Sequence, residues 1–537
     1  MDILNSVDFA EPLDPVLTLE SRDVLRGRHS RDRGVLLVAL TAAAMSIATT
    51  AYYFHKNELL GYQDSYSHLE IARRVLVSQT TGIAQLGGIW LPLPHLMQAL
   101  FAWNWTLYRT GLAGSIVSGL CLVTGSVYIY RIILALSPGK RAAAFAGAMV
   151  FAANPNMLYQ ASTSMDELPL YAFTLMAVHG LVRWAVTKRA VHLLTASVGS
   201  LLAMLCRYEA WFLGGMYFLC VIVMAKQMGY RWREVRGLTL IIGSFGVFVP
   251  AAGWLLYNWM IFGNPLNFMF GADSSADQMS HFVGDAEKGN WPLTFKDYGI
   301  TLSSDVGLFV LGAAVLSLVV FLLRERMSNR SMPILALCSV IPFYLYSLEN
   351  GQEPLEVPTL NDALLNLRFG LIALLPCAIL IGYLLSCIPR NWLRTCLSAG
   401  MIGAVAGICA MAVMTNNVVL PVEASQENYA QRYQAQAADY LVNHTNGMIL
   451  INLVGNERVA FPVLNRVIYE GSKGPTGPLW PLALKNPSGE GIETIVMRDG
   501  GASGTDLVYD GLHNSPTLKG YRKVYTNADY EILVRQS

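Results

Sequence analysis

The sequence predicts an α-helical polytopic membrane protein of about eleven transmembrane helices, closed by a small extracytoplasmic α/β domain. Three observations carry that reading. Of 537 residues, 53% are hydrophobic and only 14% charged, which is too apolar and too charge-poor for an ordinary soluble domain. The apolar residues gather in eleven runs, most of them close to the roughly 20 residues that bridge the hydrocarbon layer. Lys and Arg collect in every second connection, as cytoplasmic loops do. A cytosolic enzyme is excluded. With 38 Lys+Arg against 37 Asp+Glu the formal net charge is +1, so no global basic surface exists for nucleic acid.

Residues 1–33 are polar and carry Arg22, Arg26, Arg28, Arg31 and Arg33. This lead is too long for a secretory signal peptide and reads as a cytoplasmic segment before a retained first helix, 34–53. Further spans are expected at about 111–130, 142–158, 167–186, 192–206, 209–225, 237–262, 302–323, 331–348, 367–388 and 395–415. Between them, basic connections such as Arg131/Lys140/Arg141 and Arg324/Arg326/Arg330 alternate with cation-poor ones. The N-terminus is therefore expected inside and the tail outside.

The domain boundaries follow: 1–33, then a membrane domain over 34–415 with outer loops 54–110 and 263–301, then an extracytoplasmic domain over 416–537. In the first loop, Tyr66 to Val77 carries apolar residues at helical spacing and predicts a helix lying in the membrane interface. The second loop, rich in Gly, Asp and Ser, reads as a mobile lid. The tail predicts a helix over Tyr429–Val442 and short strands over Met448–Leu453, Arg458–Val463, Glu493–Met497, Tyr521–Tyr525 and Tyr530–Val534, with Gly/Pro punctuation at 471–478 and 499–504. It holds no GxGxxG or Walker-type loop. All eight cysteines fall in apolar stretches, away from the tail, so disulfides and a CxxC metal site are not expected.

Ionisable residues beside membrane helices are costly and become functional candidates by default. On the outer side they fall in four places: Asp64 and His68, four residues apart and so on one helix face; Asp166 and Glu167 at the mouth of the fourth span; Arg207-Tyr-Glu209; and Asn366-Leu-Arg368. Each has a structural alternative. Asp64 suits a helix N-cap, Asp166 and Glu167 suit the first turn of a helix dipole, Arg207 and Glu209 suit an ion pair between two short helices, and His95 with Trp90 suits interfacial packing. Acids from separate loops with isolated arginines on one membrane face still describe a site open to the exterior.

Read together, Gln63-Asp64-Ser65-Tyr66, Trp90-Leu-Pro-Leu-Pro-His95, the Asn-Pro and Met-Asp-Glu pattern over 154–167, Arg207-Tyr-Glu-Ala-Trp211, Phe262-Gly-Asn-Pro-Leu266 and Asn366-Leu-Arg-Phe-Gly370 resemble the polytopic membrane glycosyltransferases of the GT-C fold. Within that group the chain is similar to the bacterial branch related to lipid A aminoarabinose transferases and protein O-mannosyltransferases. The resemblance spans roughly residues 34–415. It departs at Asp64-Ser65, where the protein mannosyltransferases have an Asp-Glu pair, so a protein acceptor is not implied.

The resemblance implies transfer of a sugar from a polyprenyl-phosphate donor to an acceptor outside the cytoplasm, in a bacterial inner membrane; whether that acceptor is a glycan, lipid or protein it leaves open. Carried onto this sequence, Asp64 would be the general base, and Arg368 first, Arg207 second, would hold the donor phosphate. Asp166 and Glu167 would orient the acceptor or share a divalent cation, Mg²⁺ or Mn²⁺, with Asp64 as the other metal ligand. Tyr66, His68, His95 and Glu209 would contact substrate. The rival reading is a transporter or flippase for a glycolipid or other small substrate, whose outer carboxylates bind cargo.

Overall fold

The computed structural model describes residues 32–79, 81–271, 274, 279, 286–358, 363–470, 479–498 and 506–536. The polar lead to residue 31, most of the second outer loop between 272 and 285, and the punctuated stretches at 471–478 and 499–504 lie outside the described residues.

Among the described residues nine helices are long and apolar enough to cross a membrane, the first Arg33–His55 and the last Asn391–Ala430. Two shorter apolar helices, Arg141–Ala152 and Ala190–Met204, take the places of the third and fifth expected spans. The protein is a multi-pass membrane protein whose bundle is built around Leu367–Ser386, with 94% of its apolar window buried, while the apolar windows of Arg33–His55 and of the run Asn391–Ala430 are only 17% and 11% buried.

Packing inside the bundle relies on small residues. A Cβ on Gly180 would stand 2.5 Å from the Ala196 backbone nitrogen, and one on Gly199 2.5 Å from that of Ala177. Helices Glu167–Thr187 and Ala190–Met204 thus pack nearly backbone to backbone, where lipid offers no hydrophobic drive and close contact must supply the attraction. The span Trp232–Phe262 contains one π turn, Ser244–Phe248. The carbonyls around it are satisfied from the neighbouring helix, Ser197 Oγ donating to Ile241 O (3.1 Å) and Ser200 Oγ to Gly246 O (2.7 Å).

The connections sort to two ends of the bundle, as the alternation of cations predicts. At one end Arg141 pairs with Asp32, Arg330 donates to Leu136 O and Gln227 donates to Met327 O. At the other, Tyr159 donates to Glu58 O, Asn154 to Asp305 O and Arg368 to Asp64.

Two expectations are corrected at that second end. The segment 263–301 contains the helices Asn267–Phe270 and Trp291–Val306. The latter starts with an Asn290 cap on Leu293 N and Pro292 in its first turn, and Gly307, at φ +87°, separates it from the span Leu308–Glu325. It lies so close to the turn Leu367–Ala373 that a Cβ on Gly370 would stand 3.0 Å from Thr301 O. The helix Gln63–Arg74 is itself roofed by the tail: Leu69, Ala72, Phe461 and Leu464 share one buried cluster. Residues 419–430, expected in the tail, form a helix that packs into the membrane domain through Tyr62, Asn156 and Asn366.

The tail is an α/β domain with a five-stranded sheet of order β2-β1-β3-β5-β4: β1 Met448–Leu450, β2 Val467–Ile468, β3 Ile492–Arg498, β4 Tyr521–Thr526 and β5 Tyr530–Arg535. The first three strands run parallel, and β5 is antiparallel to β3 and β4. The run Arg458–Val463, expected as a strand, is helical over Glu457–Ala460 and Phe461–Arg466. Pro462 denies a strand its ladder donor, and Phe461 is drawn out of the tail to stack on Tyr108 (centroids 4.1 Å) and meet Tyr66 edge-on (5.0 Å).

Candidate active site

The site grows from the loop 161–166, which crosses the helix Leu112–Leu136 at Gly114. A Cβ there would fall 2.2 Å from Ser164 Cβ, so only glycine admits the crossing. The loop's buried carbonyls are met by neighbouring side chains. Ser115 Oγ donates to Ser162 O (2.6 Å), Ser118 Oγ to Thr163 O (2.8 Å) and Gln98 Nε2 to Ser164 O (2.7 Å), while Ser164 Oγ donates to Ser65 O (2.7 Å). This fixes Asp166 and Glu167 against the helices Gln63–Arg74 and Pro92–Ala102.

Asp64 lies in the first turn of its helix; Tyr62 occupies the cap position. The helix start is held from the 419–430 helix, with Tyr62 OH donating to Leu420 O and Gln63 N to Glu427. Asp64 Oδ2 accepts a hydrogen bond from Arg368 Nη2 at 2.6 Å. Arg368 Nε stands 3.2 Å from Glu167 Oε1, near enough for Coulombic pairing although its N–H is not directed at that oxygen. The same Oε1 accepts from Arg207 Nη1 at 3.2 Å, and Arg207 also pairs with Glu209 at 2.9 Å. Tyr344 OH donates to Glu209 and Gln160 Nε2 to Glu167 Oε2 (3.1 Å).

Carboxylates and guanidiniums therefore alternate: Asp64, Arg368, Glu167, Arg207, Glu209. Such a buried chain holds together only because each charge is compensated. Its exposure is uneven. Side chains of Glu167, Arg368 and Glu209 are 3%, 9% and 9% exposed and Arg207 19%, whereas Asp64 is 32% exposed.

A second group adjoins the first. His68 Nδ1 lies 2.9 Å from His95 Nε2 and 3.5 Å from Asp166 Oδ2, under the Trp90 ring, whose centroid is 4.6 Å from that of His68. Burial holds both imidazoles well below their usual range, with Arg207 and Arg368 acting the same way on His68. Burial, reinforced by Glu167, pushes the Asp166 carboxyl well above its usual value. These three are the described residues whose ligand atoms could hold a metal ion, all lying within 4.8 Å of one another. Asp166 belongs to this group; Asp64, named with it as the other candidate ligand, faces Arg368 instead.

Of the residues singled out in the sequence, Asp64, Glu167, Arg207, Glu209 and Arg368 form one network and His68, His95 and Asp166 the other. Tyr66 joins neither. Two positions beyond Asp64 on its helix it points away, onto Phe461 and the Arg458 guanidinium. Sequence reasoning missed Gln160, Tyr344, Glu423 and Glu353. Burial pushes the Glu353 carboxyl up to about 7, against the pull of Arg207 and Arg368.

The arrangement, a multi-helix bundle with acids and arginines converging at one end beneath an α/β domain, is that of the GT-C fold. It is similar to ArnT from Cupriavidus metallidurans: the structure bound to undecaprenyl phosphate matches at a TM-score of 0.57 and 13% identity over 94% of this chain and 98% of that one, and the apo structure at 0.51 and 12% over 92% and 98%. The Archaeoglobus fulgidus oligosaccharyltransferase in its apo form gives a TM-score of 0.48 at 10% identity, over 87% of this chain and 70% of that one. No protein-family model and no curated protein sequence matches the chain.

Proposed function

We propose that the protein is an integral-membrane glycosyltransferase that moves a sugar from a polyprenyl-phosphate donor to an acceptor on the extracytoplasmic face of the inner membrane, with the N-terminus cytoplasmic. The observation that carries this reading is the pairing of Asp64 with Arg368: a partly exposed carboxylate 2.6 Å from a guanidinium that is itself almost fully enclosed. A general base and a phosphate-holding cation must belong to one site and flank the anomeric carbon, since one takes the acceptor's proton on the attacking face while the other receives the leaving group on the opposite face; bound substrate parts the pair.

The acceptor O–H bond breaks, its proton passing to Asp64, as the oxygen bonds to the anomeric carbon. The bond from that carbon to the phosphate oxygen breaks with its electron pair, leaving polyprenyl phosphate against Arg368 and Arg207, whose planar guanidiniums suit phosphate oxygens. A single displacement inverts the anomeric centre. Glu167 holds the two arginines at a common spacing and is a positioning residue. The likeness to ArnT, bound to undecaprenyl phosphate, supports the lipid-phosphate donor. The charged groups gather at one end of the bundle, where a transferase needs them; transport through the bilayer favours the midplane.

The test is transfer of labelled sugar from polyprenyl-phosphate lipids by purified protein, with the anomeric configuration of the product determined. Inverted product, lost in Asp64→Asn, supports the assignment. Lipid movement across vesicles without transfer overturns it in favour of the transporter.

A further inference from the structure

We propose that His68, His95 and Asp166 bind one divalent transition-metal cation, of the Zn²⁺ or Co²⁺ type, through His68 Nδ1, His95 Nε2 and Asp166 Oδ2. Its placement beside the reaction centre rests on the transferase reading; the binding itself does not.

The first argument is a count of protons. His68 Nδ1 faces both His95 Nε2 and Asp166 Oδ2, at 2.9 and 3.5 Å. One N–H on His68 Nδ1 cannot serve both, so at most one of the two contacts is a hydrogen bond that it donates. Asp166 Oδ1 is buried and has no hydrogen-bond partner, and His68, His95 and Asp166 are 2%, 0% and 2% exposed. Two imidazoles and a carboxyl with an unpartnered oxygen, gathered in one buried pocket within 4.8 Å of one another, form a set that a shared cation satisfies. Ligand atoms about 2.0–2.2 Å from one metal stand about 3–3.6 Å apart; the His68–Asp166 separation of 3.5 Å falls in that range and the His68–His95 separation of 2.9 Å needs only a small opening.

The second argument is preorganisation. The three ligands come from three separate elements, and Ser164 ties those elements together without using the ligands. Its hydroxyl donates to the Ser65 carbonyl, three residues before His68, and its carbonyl accepts from Gln98, three residues after His95. Ser164 itself stands two residues before Asp166. Leu93 N also donates to Leu205 O (3.0 Å), pinning the start of the His95 helix. A set held in place by bonds other than its own is what a metal site requires.

Two imidazoles and one carboxylate favour Zn²⁺, Co²⁺ or Mn²⁺ over Mg²⁺, which prefers oxygen and water. Asp64, engaged with Arg368, stays outside the set and remains available as a base.

The experiment uses the full chain in detergent, stripped with chelator, exposed to ZnCl₂, CoCl₂ or MgCl₂ and desalted. Bound metal is measured by elemental analysis and, for Co²⁺, by its ligand-field absorption. Wild type is expected to retain about one equivalent of Zn²⁺ or Co²⁺ and no Mg²⁺; His95→Gln and Asp166→Asn lose it, while Asp64→Asn retains it. His95→Cys, which substitutes one ligand for another, is expected to keep Co²⁺ and add a thiolate charge-transfer band absent from wild type, a signature that a purely structural histidine would not give. Absence of bound transition metal in folded wild type, or retention by folded His95→Gln with no new band in His95→Cys, overturns the proposal. Metal binding without sugar transfer would leave the site standing and remove the transferase; transfer by metal-free protein would do the reverse.

Discussion

Glu167 Oε1 stands 3.2 Å from Arg207 Nη1 and 3.2 Å from Arg368 Nε, so one carboxylate oxygen governs the spacing of both cations. Its second oxygen is occupied by Gln160. Glu167→Gln should leave two nearly enclosed guanidiniums without their common counter-charge. Breaking a buried pair from one side costs about 3–5 kcal/mol, so thermal unfolding of the purified protein should begin well below wild type. Glu209→Gln should cost less, since Arg207 keeps Glu167. Equal melting for Glu167→Gln and wild type would show that the arginines do not depend on it.

Asp64→Asn removes the proposed base while keeping its shape. Transfer should fall about 10²–10⁴-fold, with melting little changed because Asp64 is the most exposed member of the chain. Full turnover by this variant would exclude Asp64 from the chemistry.

Arg368→Lys keeps the charge but loses the planar fork that reaches Asp64 and Glu167 together. The transfer rate should drop and the apparent affinity for the lipid-phosphate donor weaken, measurable in a donor titration. A donor affinity equal to wild type would place the phosphate elsewhere.

Gly114→Ala tests the crossing that positions the loop. Its Cβ would meet Ser164 Cβ at 2.2 Å, and overpacking of this kind costs about 1–3 kcal/mol. Both melting temperature and transfer should fall, because Ser164 also ties the Asp64 helix. An unaffected variant would mean that the loop yields freely.

Burial pushes the carboxyls of Glu353 and Glu457 up to about 7 from the usual 4.5. For a carboxyl whose folded value is raised, the native state holds the proton that the unfolded chain releases. Stability is therefore greatest below about 4.5 and declines as pH rises to about 7. Melting of wild type should decline across that window, and Glu457→Gln should flatten part of the decline. A melting temperature that rose through the same window in wild type would contradict this.

The spans were legible because a run of about twenty apolar residues has few other fates, and the basic connections marked the two ends. Asp64, Arg207 and Arg368 stood out because an ion beside a membrane helix demands a reason. Their partners were not legible. Arg368 meets Asp64 across 304 positions of sequence, and Gln160 and Tyr344 look like ordinary helix residues until the fold aims them at Glu167 and Glu209. His95 reads as packing until His68 is set 2.9 Å away. The helix Trp291–Val306 was obscured by the Gly- and Asp-rich stretch before it, although Asn290-Trp-Pro292 is a start signal. Pro462 was the available warning against a strand at Arg458–Val463.

Arg368 is mounted on the most enclosed helix of the bundle, whereas Asp64 rides on a helix whose first turn is gripped by Glu427 and Glu457 and whose outer face is covered by Phe461. The proposed base thus depends on Phe461 and Glu457 of the tail, whereas the Arg368 turn is held through Asn366 by Glu423 of the 419–430 helix. Damage at Phe461 should therefore loosen the proposed base more than the proposed phosphate site, so that lipid-linked sugar is still gripped but is lost to water instead of being passed on.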